Sequence, residues 1–430
     1  MSSVYQYVER FGDVSFFEQP LNEVDVLILN ELVYFPLELF VESGRVSADG
    51  LSLEDFYLLI EPHLGQLRKE NWVLTSAARI KLLKLIFQSR RFRDVYLFAF
   101  ESELEQVGEF QFAALSLRLP SQEVLVSFRG TDDSLVGWKE DCKMAYQTLV
   151  PSQLLAADYL TRLSHRVDGA NLLVSGHSKG GNLAIYAAAF QPSVIQASIL
   201  SIYSFDGPGF HQATLDSVGF QAIQAKIQHY VPEDSIVGMM LLHSRPPIVI
   251  KSKRLGFSHH VVTNWCVAAD QLHRIDKRSD FSYLVDASLK EWAIDRTESE
   301  LEQVFDASFA LIFEMGIQSV VEITQSPLQF ARSFLDHLHG VEPELKAFLD
   351  DHLSAFFTTL RSHLIEQRRD HYQQLSVNIG QWLKELSLST RWSGESNLLN
   401  NIHQHFAARD AKVKDADDIV DSVMDDKMAD

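Results

Sequence analysis

A serine with glycine two residues to either side, Gly176-His177-Ser178-Lys179-Gly180, stands where the apolar run Leu172-Leu173-Val174 gives way to an Ala-rich stretch, Asn182 to Phe190. The run reads as a buried strand and the stretch as a helix, so the five residues form a strand-to-helix turn. In such a turn the glycines let the helix pack close to the strand. The serine takes a strained backbone conformation that points its hydroxyl out of the sheet. Ser178 is therefore the candidate nucleophile, and the plainer reading is a serine that merely caps the helix. A phosphate-binding loop is discarded, because it ends in Gly-Lys-Ser/Thr, whereas the order here is Ser178-Lys179-Gly180.

A serine hydroxyl is a poor nucleophile until a histidine accepts its proton, and that histidine needs a carboxylate to fix its tautomer and stabilise its cation. Ser178, then Asp206 or Asp234, then His259 or His260 supplies the order Ser, acid, His, with each acid or base just after an expected strand. Asp206 is the preferred acid, since it follows its strand directly in Tyr203-Ser204-Phe205-Asp206-Gly207-Pro208-Gly209, and Asp234 is the alternative. Either could instead shape a turn or cap a helix. Acyl transfer also needs donors for a developing oxyanion. The backbone N–H of Lys179 is one, and Gly130-Thr131, at the end of an earlier strand, is placed to give a backbone N–H and a hydroxyl. The Lys179 side chain itself reads as a solvated helix-start residue, with a cation that stabilises negative charge the other reading, Arg129 as a structural ion-pair partner, and His177 as a ring packed beneath the turn. No Cys/His cluster has zinc spacing, and the pairs His337/His339 and His403/His405 do not share a helix face.

Short runs with strand character surround this stretch: Val95 to Phe100, Phe110 to Leu117, Glu123 to Phe128, Ser198 to Phe205, Ala225 to Val231 and Pro247 to Ile250. Helical spacing fills Ala77 to Phe87 and Gln153 to Arg166. Strands alternating with helices, and polar residues gathered at strand ends, indicate an α/β fold with a largely parallel sheet and a site along one edge. The chain divides into a mostly helical N-terminal segment packing on the core (1–74), an α/β domain (75–285), a helical C-terminal region (286–408) and an acidic tail (409–430). The last division follows charge. From Asp286 onward there are 13 Lys and Arg against 26 Asp and Glu, in a chain of net charge -20.

That acidity argues against nucleic acid as a partner, because phosphate binding needs a basic surface. Two cysteines, Cys142 and Cys266, cannot build a disulfide framework. No apolar stretch approaches the roughly 18 residues of a membrane span, and no secretory signal opens the chain. A cytoplasmic location is the expectation.

Phe128-Arg129-Gly130-Thr131, with Trp138 and Asp141 downstream and Gly176 to Asn182 beyond, resembles the class-3 lipase-like branch of the α/β-hydrolases. More narrowly, Ser204 to Phe210, Ser235-Ile236-Val237-Gly238-Met239 and His260 five residues before Trp265 resemble a bacterial family of lipase-like proteins. The similarity spans about residues 20 to 270, leaving the helical C-terminal third outside. It implies a serine hydrolase of carboxylic esters with no metal or organic cofactor. It further implies Ser178 as nucleophile, His260 rather than His259 as base, and Thr131 in the oxyanion hole. It leaves the acid open, since class-3 lipases place theirs near Asp234 while the Asp-Gly-Pro-Gly-Phe block favours Asp206.

The expected activity is that of an intracellular esterase or lipase-like enzyme working through an acyl-enzyme on a small-molecule or lipid ester. The absence of a long amphipathic segment between Thr131 and Gln153 favours short or soluble esters. The apolar Met239-Met240-Leu241-Leu242 reads as core packing, with an acyl pocket the other reading. The alternative is a catalytically idle hydrolase fold serving as a binding or regulatory scaffold. The acidic helical region would then be the interaction surface, and it is also the candidate homodimer interface.

Overall fold

Strands that are apolar at every position, rather than at alternate ones, are covered on both faces. Val124–Phe128 and Leu172–His177 are buried throughout, and their side chains divide by parity. Val124, Val126, Phe128, Leu172 and Val174 enter one core, whereas Leu125 and Leu173 enter the other. The computed structural model describes residues 2–41, 49–70, 76–105, 109–132, 134–253, 259–294, 296–317 and 327–366.

The central sheet has eight strands in sequence order: β2 (Leu51–Ser52), β3 (Tyr96–Glu105), β4 (Phe110–Arg118), β5 (Val124–Phe128), β6 (Leu172–His177), β7 (Ile199–Phe205), β8 (Ile227–Pro232) and β9 (Ile248–Ile250). Pairing is antiparallel from β2 to β5 and parallel from β5 to β9. This is the mostly parallel, helix-flanked sheet of an α/β-hydrolase. β1 (Ser2–Ser3), β10 (Cys266–Ala268) and β11 (Gln271–Leu272) form a second, small sheet.

On one face lie helices Pro151–Arg166 and Lys179–Ala189. The other face is covered by the N-terminal segment, whose helices Val4–Phe11, Glu23–Asn30 and Leu53–Ile60 start at side-chain caps from Ser3, Asn22 and Ser52. Arg91 fastens this segment, donating from Nε and Nη2 to the two Asp25 oxygens at 2.7 and 2.5 Å with both side chains fully buried.

The chain separates into two compact units, Met1–Pro327 and Leu328–Asp430. The first includes helices Asp280–Ile294 and Glu298–Glu314, and Tyr146 stacks on Phe305 of the latter. In the second, Pro343–Glu366 is one long helix. The expected helical residues Leu375 to Leu386 and the acidic tail lie outside the described residues.

Candidate active site

The parallel strands end along one edge of the sheet, and the expected site residues gather there. Ser178 follows β6 with φ of 59°, the left-handed region that a serine occupies only at a cost of about 1–3 kcal/mol. Its N–H donates to Phe205 O at 2.9 Å, which ties the turn to the end of β7. The hydroxyl makes no capping bond to the helix that follows, so the plain capping role does not apply. A Cβ on Gly176 would lie 1.9 Å from Gly180 O, and one on Gly180 would lie 2.2 Å from Phe128 O. Glycine is required at both positions by the closeness of helix to strand.

Asp206 follows β7 directly, also at positive φ (52°), and is 1% exposed. Its Oδ1 accepts from Ser235 Oγ at 2.5 Å and Gly238 N at 3.1 Å. Its Oδ2 lies 2.6 Å from His260 Nδ1. A carboxylate can only accept, so His260 donates from Nδ1, and in the neutral ring Nε2 is then bare. Asp234 goes elsewhere, with Oδ2 3.0 Å from Nε2 of the buried His259. Burial pushes the His259 imidazole below the usual histidine range. Among the hydrogen bonds of the described residues, none joins Ser178 Oγ to His260.

Lys179 and Thr131 are the residues expected from sequence to face an oxyanion. As the first residue of its helix, Lys179 has an N–H with no intrahelical acceptor. Thr131 follows β5, and its hydroxyl donates to Asp141 Oδ2 at 2.6 Å. Of the backbone N–H and hydroxyl expected from Gly130-Thr131, the hydroxyl directs its proton at this carboxylate. Burial raises the Asp141 carboxyl to about 6, opposed by the Lys179 charge and the Thr131 hydrogen bond.

Sequence reasoning missed the helix Leu135–Lys143, capped by Ser134 and carrying Glu140 and Asp141. It also misjudged the side chain of Lys179, which is 1% exposed rather than solvated. Lys179 Nζ donates to Glu140 Oε2 at 2.8 Å and to Gln111 O at 3.0 Å. Arg129 does lie in an ion pair, 3.6 Å from Glu38, and His177 is buried beneath the turn. Met239 is buried while Leu242 is exposed. Among the described residues no group of three or more His, Cys, Asp or Glu side chains is placed to hold a metal, and no helix is long and apolar enough to cross a membrane.

The family model described as Mbeg1-like matches residues 86–310. The chain belongs to the Mbeg1-like family. The Mbeg1-like region runs from the end of helix Ala77–Phe87 into helix Glu298–Glu314 and contains Ser178, Asp206, Asp234 and His260. No curated protein matches. Among solved structures, the chain is similar to the M37 lipase at 14% identity, covering 51% of this chain and 70% of that one with a TM-score of 0.33. It is likewise similar to the lipase from Rhizopus microsporus var. chinensis at 14% identity, covering 62% and 84% with a TM-score of 0.34.

Proposed function

We propose that this Mbeg1-like chain is a serine hydrolase of carboxylic esters. His260 Nε2 removes the Ser178 proton as Oγ attacks the ester carbonyl, and the Asp206 carboxylate stabilises the imidazolium that forms. The oxyanion of the tetrahedral intermediate is met by the N–H groups of Lys179 and Thr131. His260 then gives its proton to the departing alcohol, leaving an acyl group on Ser178, and water repeats the sequence to release the acid.

The observation that carries this reading is the 2.6 Å contact between His260 Nδ1 and an Asp206 whose other oxygen is held by Ser235 and Gly238. A carboxylate fixed by two donors and aimed at one histidine nitrogen is what a base needs, and Ser178 stands on the adjacent strand end. The same contact favours Asp206 over Asp234, which faces the other histidine. The short helix Leu135–Lys143 in place of a long covering segment is compatible with small or soluble esters.

Labelling with a fluorophosphonate probe tests the assignment. Wild type should label, Ser178→Ala should not, and His260→Ala and Asp206→Ala should label at least about 100-fold more slowly. Asp234→Ala should label within about threefold of wild type, since it loses no contact to the base. A folded wild type that takes up no probe would sink the hydrolase reading, and the fold would then be a scaffold whose partners should be sought instead.

A further inference from the structure

A second chain of hydrogen bonds runs beneath the site and uses none of the side-chain atoms given chemical roles. His177 Nε2 lies 2.8 Å from the backbone carbonyl of His260. A carbonyl oxygen can only accept, so Nε2 carries the proton and His177 Nδ1 is bare. That bare nitrogen lies 2.9 Å from Tyr34 Oη and must accept the phenol proton. Tyr34 Oη in turn accepts the N–H of Gly130 at 3.1 Å. Every donor and acceptor is thus assigned in one direction, from Gly130 through Tyr34 and His177 to His260.

Three members of this chain matter because of where they stand. Gly130 precedes Thr131, His177 precedes Ser178, and His260 is itself the proposed base. The rings of His177 and His260 also lie against each other, with centroids 4.5 Å apart. Spacing is tight, since a Cβ on Gly130 would lie 2.6 Å from Tyr34 Oη and 2.9 Å from Ser178 Cβ. Tyr34 comes from the N-terminal segment and is held there. The Arg79 guanidinium lies 3.7 Å from its ring centroid, with Arg79 Nε donating to the buried Glu31 at 2.7 Å. Burial, the largest influence, keeps His177 well below the usual histidine range and therefore neutral, as the bond pattern requires.

We propose that Tyr34 and His177 are positioning residues. Their fixed chain of hydrogen bonds sets the distances between the oxyanion loop, the nucleophile turn and the loop carrying His260. The inference rests on the serine hydrolase reading, and it gives the N-terminal segment a part in the reaction beyond covering the sheet.

Tyr34→Phe is the decisive variant, because it keeps the ring and its Arg79 contact while removing the one atom that links Gly130 to His177. With an ester found to be cleaved by the wild type, kcat should fall on the order of 10- to 100-fold with KM little changed, as for a site displaced by a fraction of an ångström. Complete probe labelling of Ser178 should still be reached, more slowly. Measured at a temperature where both proteins are fully folded, kcat within twofold of wild type would overturn the proposal. Failure of the wild type itself to label would instead remove the hydrolase reading, so the two outcomes are distinct. Should Tyr34→Phe not fold, the wild type still decides by nitrogen NMR of its histidine rings at pH 7. His177 protonated on Nε2 only, with a slowly exchanging ring proton, supports the chain. Protonation on Nδ1 or on both nitrogens overturns it.

Discussion

Lys179 carries two roles on two different atoms. Its N–H is the proposed oxyanion donor, while its ammonium is buried against Glu140, whose oxygens also accept from Gln111 N and Ser152 N at 3.1 Å each. Removing one partner of such a pair leaves an uncompensated buried charge, which typically destabilises by about 3–5 kcal/mol. Lys179→Met should show a loss of that size in urea denaturation, and adding Glu140→Gln should recover a large part of it. Failure of the second change to recover stability would mean that the hydrogen bonds, rather than the charge pairing, dominate. The turn itself was legible in sequence because the strained serine permits only glycine at its close contacts. The fate of the Lys179 side chain was not, because its partner lies 39 residues away on a helix too short to announce itself.

Asp141 gives the same neighbourhood a pH dependence. Its carboxyl is raised to about 6, above the usual carboxylate value of about 3.9, so the charged form is disfavoured in the folded chain. The sign follows from linkage. The stabilising contribution is fully present below about pH 4 and is lost as pH rises through about 6. Asp141→Asn removes that titration. The stability of wild type relative to Asp141→Asn should therefore decline between pH 4 and 7, by up to about 3 kcal/mol. A difference that is flat across this range, or that grows with pH, would show that Thr131 and Lys179 compensate the burial fully.

At the scale of elements, the strands of the parallel half were legible because burial on both faces leaves apolar runs bounded by turns. The expected Phe110 to Leu117 and Ser198 to Phe205 differ by a residue from β4 and β7. The start expected at Ala225 is moved to β8 at Ile227, because Gln224–Lys226 forms a short 3-10 turn. Strands of two or three residues such as β1, β2, β10 and β11 have too few positions to show a period. Their pairing is set by tertiary contact.

The loop after β8 shows why exact placement counts. Gly238 gives its N–H to Asp206, and a Cβ there would lie 2.2 Å from Asp206 Oδ1. Gly238→Ala must shift the carboxylate from its present place beside His260. Ester cleavage and probe labelling should fall by about 100-fold, as expected when a reacting group moves by about 1 Å, with a folded structure retained. Undiminished labelling would mean that Asp206 does not serve His260.

For the whole molecule, the arrangement of cores says which parts can be removed. The N-terminal segment supplies Val24, Leu27, Tyr34 and Phe56 to the same core as Leu125, Leu173 and Phe205 of the sheet, and buries the Asp25–Arg91 pair. It cannot leave without exposing one face of the sheet. Helices Asp280–Ile294 and Glu298–Glu314 are also bound into this unit. Asp306 pairs with Lys139 at 2.8 Å, and Arg278 with Asp286 at 2.9 Å. The residues from Leu328 onward form a unit of their own, and none of the residues proposed to act on an ester belongs to it. A chain ending at Pro327 should therefore unfold cooperatively, with a midpoint within about 4 °C of the full chain. Fluorophosphonate labelling of Ser178 should proceed at the same rate as in the full chain. Loss of labelling from a cooperatively folded truncated chain would place the acidic helical region in the function of the site. If labelling is retained while a dimer seen for the full chain is lost, that region is instead the proposed self-association surface.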